Sequence, residues 1–131
     1  MEAASEPGGP QPEIFDTERD EEVFRKTFAV LRNAAQTNEA VGQKVFGAVD
    51  SKGQIRGQFA VYHYEGLTLG IQKIIDQLNE NDSKQMERLG ERLLQIKVNP
   101  ALRDFTGGGK NTAQAFRDRI KFFADELSLV V

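Results

Sequence analysis

The chain has 131 residues, 39% of them hydrophobic and 28% charged, with a formal net charge of −3 and a pI near 5.2. That length supports one hydrophobic core without covalent staples, and the acidic balance argues against a nucleic-acid groove or an anionic membrane surface as partner. The absence of cysteine excludes disulfides, thiolate metal sites and a cysteine nucleophile.

No apolar run approaches the roughly 18 residues that span a bilayer. The start, MEAASEPGGPQPE, lacks a basic and then an apolar region, so no secretory signal is expected and the expected compartment is cytoplasmic or nuclear. Residues 1–15 are rich in Pro, Gly, Glu and Ala and read as a disordered acidic tail, because they bury too little surface to offset their ordering entropy. Residues 16–131 read as a single helical domain.

Asp16 or Thr17 is placed to cap a first helix over 17–36, with Glu18 and Asp20 in the turn where the helix dipole favours acids. Phe24, Phe28, Leu31 and Ala35 make its apolar stripe, widened by Val23 and Ala34. Thr37 or Asn38 then caps a short segment with Val41 and Val45 at helical spacing. Asp50-Ser51-Lys52-Gly53 has the acid-first, glycine-last signature of a type I turn.

Two readings meet at that turn. Ile55, Gly57, Phe59 and Val61 alternate, which fits a β-hairpin over 45–61. Phe59, His63, Gly66, Leu67, Gly70, Ile71, Ile74, Ile75 and Leu78 fall on one face at 3.6 residues per turn, which predicts a helix over 59–79. Gly66 and Gly70 on that face predict the close approach of another helix, with Gly42 as the candidate contact.

From Lys84, the stripe Met86, Leu89, Leu93 and Ile96 predicts a further helix closed by Asn99-Pro100. A short turn over 101–105 and the loop Thr106 to Lys110 follow. Asn111 or Thr112 caps a last helix with Ala115 or Phe116, Ile120, Phe123 and Leu127 inward. The expected fold is therefore an all-α bundle of about five helices, with an α+β fold carrying the 45–61 hairpin as the alternative.

Two clusters invite chemistry. Gly107, Gly108, Gly109 and Lys110 before a helix are an anion-loop candidate, but Asn111 separates Lys110 from Thr112 and no strand precedes the loop, so the phosphate-loop pattern is not met. Tyr62, His63, Tyr64 and Glu65 hold the one histidine and both tyrosines, and are the candidate ligand or partner residues. No catalytic signature, metal-ligand spacing or cofactor motif accompanies them. His63 is expected to be a partly buried, hydrogen-bonded structural residue. A slight basic excess at Arg117, Arg119 and Lys121 offers a protein partner a second surface.

FRKTFAVLRNAAQTNEAVGQKVFGAVD, the glycine-bearing helix and LGERLLQIKVNPALRDF together resemble a globin trace over much of the chain. In that resemblance Gly42 meets Gly66 or Gly70, Leu93 stands where the proximal haem ligand belongs, Glu65 falls near the distal position, and residues 101–110 replace the penultimate helix. It implies a globin-like fold that does not bind haem in the usual way and serves sensing or interaction.

The function expected is a non-catalytic helical protein–protein interaction or regulatory domain with another protein as partner, no nucleic acid, no membrane, no metal and no cofactor. The alternatives are a sensory, ligand-binding globin-like domain and a phosphotransfer or acid–base enzyme using His63.

Overall fold

A computed structural model describes residues 17–106 and 112–131. The tail expected over 1–15, the caps Asp16 and Asn111, and the loop residues Gly107, Gly108, Gly109 and Lys110 lie outside the described residues. The elements are α1 (Thr17–Gln36), β1 (Gly47–Val49), β2 (Ile55–Phe59), α2 (Val61–Gly70), α3 (Ser83–Val98), α4 (Arg103–Thr106) and α5 (Ala113–Leu127), with 3-10 turns between them. The described residues are mostly helical, with five α-helices among them, and the 45–61 hairpin is present as an antiparallel β1–β2 pair.

The hairpin forms because its turn is chemically complete. Asp50 Oδ1 accepts hydrogen bonds from the backbone amides of Lys52 and Gln54, both at 2.9 Å. Gly53 adopts φ 81°, a left-handed conformation that glycine reaches without Cβ strain. At Gly47 a Cβ would overlap the Arg56 carbonyl, so only glycine lets the strands close there, and the register slips between Gly47 and Val49.

The helix expected over 59–79 is shorter. It starts at Val61 and gives way after Gly70 to 3-10 turns at Ile71–Lys73 and Ile75–Gln77. Gly70 and the three β-branched isoleucines within the five residues after it (Ile71, Ile74 and Ile75) weaken the α-helical preference there. The predicted face nevertheless survives the change of helix type. His63, Gly66, Leu67, Gly70, Ile71, Ile74, Ile75 and Leu78 are all buried, and Phe59 alone is not.

Those glycines do admit a helix, but it is α5 and not the Gly42 segment. A Cβ on Gly66 would overlap the Phe123 ring, and one on Gly70 would lie 2.9 Å from Phe123 Cβ and 3.0 Å from the Ala124 amide. Gly42 instead serves a turn, with φ 46° and nothing near its absent side chain. A third close approach pairs Gly90 of α3 with Ala34 and Thr37 at the end of α1. The helices thus pack as α2 on α5 and α1 on α3, with α3 also touching α5. The core between them contains Leu31, Leu67, Ile71, Leu89, Leu93 and Phe123.

The helix ends carry their own caps. Asp82 accepts from the Gln85 amide at the start of α3, and Thr112 Oγ1 from the Ala115 amide at the start of α5. The buried face of α1 is rotated from the expected stripe. Val30, Leu31, Ala34 and Ala35 enter the core, whereas Phe24 stands 62% exposed. No helix among the described residues is long and apolar enough to cross a membrane.

Candidate functional site

Four successive helical residues point roughly 100° apart, so Tyr62, His63, Tyr64 and Glu65 at the start of α2 are not one cluster but spokes toward different neighbours. Tyr62 and Glu65 meet Arg119 of α5. The guanidinium lies 4.0 Å from the Tyr62 ring centroid, its Nη1 is 3.5 Å from Glu65 Oε1, and its Nε donates to the Phe105 carbonyl at 3.1 Å. Arg119 is only 2% exposed, so the basic excess expected as a surface on the last helix is in part a buried tie between α5, α4 and α2.

Tyr64 turns the other way, into a cluster of rings contributed by three elements. Its centroid is 5.1 Å from Phe46, 5.6 Å from Phe59 and 6.1 Å from Phe28, and Phe28 lies 4.7 Å from Phe24. These separations are those of favourable edge and tilted aromatic pairs. The cluster is not sealed. Phe24 at 62% and Phe59 at 58% exposure stand at its two ends, with Val61 and Leu69 also exposed.

Grooves flank this ridge. One, of about 740 Å³, runs between α1 and the segment leading into β1, with Phe24, Phe28 and Phe46 along its wall and Arg25, Arg32 and Glu80 at its rim. Another, of about 360 Å³, lies between α1 and α2, with Phe24, Phe28, Tyr64 and Leu69 apolar and Asp20 and Glu65 acidic. Arg25 is already engaged, at 2.7 Å from Glu22 and 2.9 Å from Glu80, and these hydrogen bonds hold both carboxyls below their usual range. Arg32 has no ion pair among the described residues.

His63 points inward and is 3% exposed. Its Nδ1 lies 3.0 Å from Lys97 Nζ, and that ammonium also donates to the Gly47 carbonyl at 2.8 Å. Burial, reinforced by the neighbouring Lys97 charge, lowers the His63 pKa to about 3, so the ring is neutral at pH 7 with Nδ1 as the acceptor. Burial alone lowers Lys97 to about 7. A histidine so enclosed is not presented to a partner protein for phosphotransfer, and Glu65 is engaged with Arg119 elsewhere. Among the described residues no group of three or more His, Asp or Glu is arranged to hold a metal.

Lys97 is the residue that sequence reasoning missed. It is the only charged residue in the last turn of α3, one position after Ile96, where a solvated lysine is the ordinary expectation, and it is the folded hairpin and α2 that enclose it, through the Gly47 carbonyl and His63. Phe24 and Phe46 were also missed as site residues. The signal available for Phe24 was its position at the edge of a stripe already satisfied by Leu31, Ala34 and Ala35. Comparison of the chain with protein-family models, with curated proteins and with solved structures finds no match.

Proposed function

We propose that this chain is a non-catalytic protein-interaction domain whose docking face is the aromatic ridge joining α1, the hairpin and α2. The observation that carries this reading is the five-ring cluster of Phe24, Phe28, Phe46, Phe59 and Tyr64, with both end rings more than half exposed beside an apolar groove. Burying one phenylalanine side chain is worth about 1.5–3 kcal/mol, and aromatic anchors seated in grooves dominate the energetics of interfaces. Phe24, Phe59, Val61 and Leu69 are exposed, and large contiguous exposed apolar patches mark interaction sites.

The occupant is an amphipathic segment of another protein with apolar anchors at helical spacing and an acidic residue opposite Arg32. Groove shape supports the apolar side of that pattern, because rows of anchors at i, i+4 and i+7 enter such clefts. The rim supports the charge: Arg25 is compensated by Glu22 and Glu80, whereas Arg32 has no ion pair among the described residues. The reading carries a cytoplasmic or nuclear setting, where a chain without cysteine loses nothing by lacking disulfides.

Selection of the protein against a random peptide-display library tests this directly. The expected result is enrichment of amphipathic, acidic sequences that bind at least tenfold more weakly to Phe24→Glu and to Arg32→Glu while both variants keep the wild-type melting temperature. Absence of enrichment, or enriched peptides indifferent to Phe24→Glu, would overturn the reading. Concentration-dependent dimerisation lost in Phe24→Glu would assign the face to a second copy instead, and would overturn it equally.

A further inference from the structure

We propose that the cavity bounded by α3, α4 and the hairpin turn is a binding site for a small oxyanion, a carboxylate or a sulfate- or phosphate-type group, with Lys97 as its principal counter-charge. This site lies apart from the aromatic face and does not depend on it.

The cavity is about 320 Å³, many times the roughly 30 Å³ that one water occupies in the liquid. Lys97, His63, Lys52, Arg103, Ser51 and Asn99 are among its lining residues, and no aspartate or glutamate is. In a chain with net charge −3, three cationic side chains converging on one cavity without an acid reverse the overall balance.

Lys97 is the unusual member. A buried ammonium costs several kcal/mol to desolvate and is ordinarily paired with a carboxylate. Here the residue is 2% exposed, and its hydrogen-bond partners are both neutral: the Gly47 carbonyl at 2.8 Å and His63 Nδ1 at 3.0 Å. An ammonium has three donors, and these contacts account for two. An oxyanion seated in the cavity supplies the counter-charge and accepts the hydrogen bond from the third ammonium donor. Arg103 frames the entrance, held by its Nη2 donating to the Ser51 carbonyl at 2.8 Å, and Lys52 stands on the adjoining turn. Arg103 and Lys52 would deliver the anion to Lys97, and the hydroxyl and amide of Ser51 and Asn99 offer neutral hydrogen bonds.

Binding should therefore depend on pH through Lys97. Its pKa near 7, lowered by burial, rises when an anion arrives, so the complex takes up a proton above pH 7 and weakens as pH increases. The other groups facing it do not reproduce that dependence. His63 is neutral throughout, lowered to about 3, and Lys52 and Arg103 are exposed cations at the rim. Asp50, on the adjoining turn, is held below the usual carboxylate range, chiefly by the Gln54 amide.

His63 is the only histidine in the chain, so its ring protons give a single reporter beside the site. We would titrate the intact protein with sodium sulfate and, separately, sodium acetate at constant ionic strength, at pH 6 and pH 9, following the His63 ring resonance. Neither probe titrates between those values. The expected result is a saturable His63 shift with at least one probe, at least tenfold weaker at pH 9 than at pH 6 and at least fivefold weaker in Arg103→Gln. Saturation by acetate alone assigns a carboxylate ligand, and by sulfate alone a sulfate- or phosphate-type ligand. No saturable shift with either probe, or a shift indifferent to both pH and Arg103→Gln, would overturn the proposal and leave Lys97 as a tie between α3 and the hairpin. Lys97→Met is the secondary variant: where its melting transition remains cooperative, the saturable shift should be lost, and its persistence would also overturn the proposal.

Discussion

His63 and Lys97 share one hydrogen bond in the interior, and both become easier to protonate when the chain unfolds. The folded pKa values, about 3 and about 7, lie below the ordinary values of 6.5 and 10.5. The unfolded chain therefore binds more protons between pH 3 and 6.5 and between pH 7 and 10.5, and stability rises with pH across both windows. The His63 contribution is fully present above pH 6.5 and is lost as pH falls toward 3, and each unit of separation is worth about 1.4 kcal/mol. Thermal melts at pH 7 and pH 4 should show a smaller fall in melting temperature for His63→Gln, which keeps an acceptor for Lys97, than for the wild type. An equal fall in both would show that His63 titrates as an exposed ring does. The inward position of His63 was legible from its place among Gly66, Leu67 and Gly70 on one face. Its partner was not, because Lys97 lies 34 positions away and nothing in a KVNP sequence marks a lysine for burial.

At the scale of the elements, glycines decide which helices touch. Gly66 faces the Phe123 ring and Gly90 faces the Ala34 carbonyl, and neither neighbour is the free end of a flexible side chain. Gly66→Ala and Gly90→Ala should each destabilise by about 1–3 kcal/mol through overpacking, read as a lower urea midpoint with unchanged slope. Gly57→Ala, with open space at its Cβ, is the control and should leave the midpoint nearly unchanged. Equal effects at all three positions would mean that backbone propensity, not helix contact, sets the cost. That α2 carries a close-approach surface was legible from the four-residue spacing of its glycines. The identity of the partner was not, because small residues recur in α1, the Gly42 turn and α5 alike. The hairpin was legible as an alternative through its Asp50-to-Gly53 turn. What decided it was the completeness of that turn together with the glycine at 47, which outweigh the helical spacing of Val41 and Val45.

For the whole molecule, the arrangement separates two surfaces around one core. α5 and the buried Arg119 tie one side of the start of α2 to α4, whereas α1, the hairpin and the other side of that start carry the ring cluster, with Phe24 and Phe59 exposed. Replacing Phe24 should leave stability nearly unchanged because the ring is mostly in solvent, while replacing Phe123 with alanine should cost about 3–5 kcal/mol. Melting curves of the two variants check that contrast. An equally large loss at Phe24 would make the ridge part of the core.

The most direct measurement is an amide chemical-shift map of the labelled protein with a peptide enriched by the display selection. Perturbations should centre on Phe24, Phe28, Phe46, Phe59 and Tyr64 and extend to Arg32, with α5 unchanged. Perturbations centred on α5 or α3, with the ring-bearing residues silent, would contradict it.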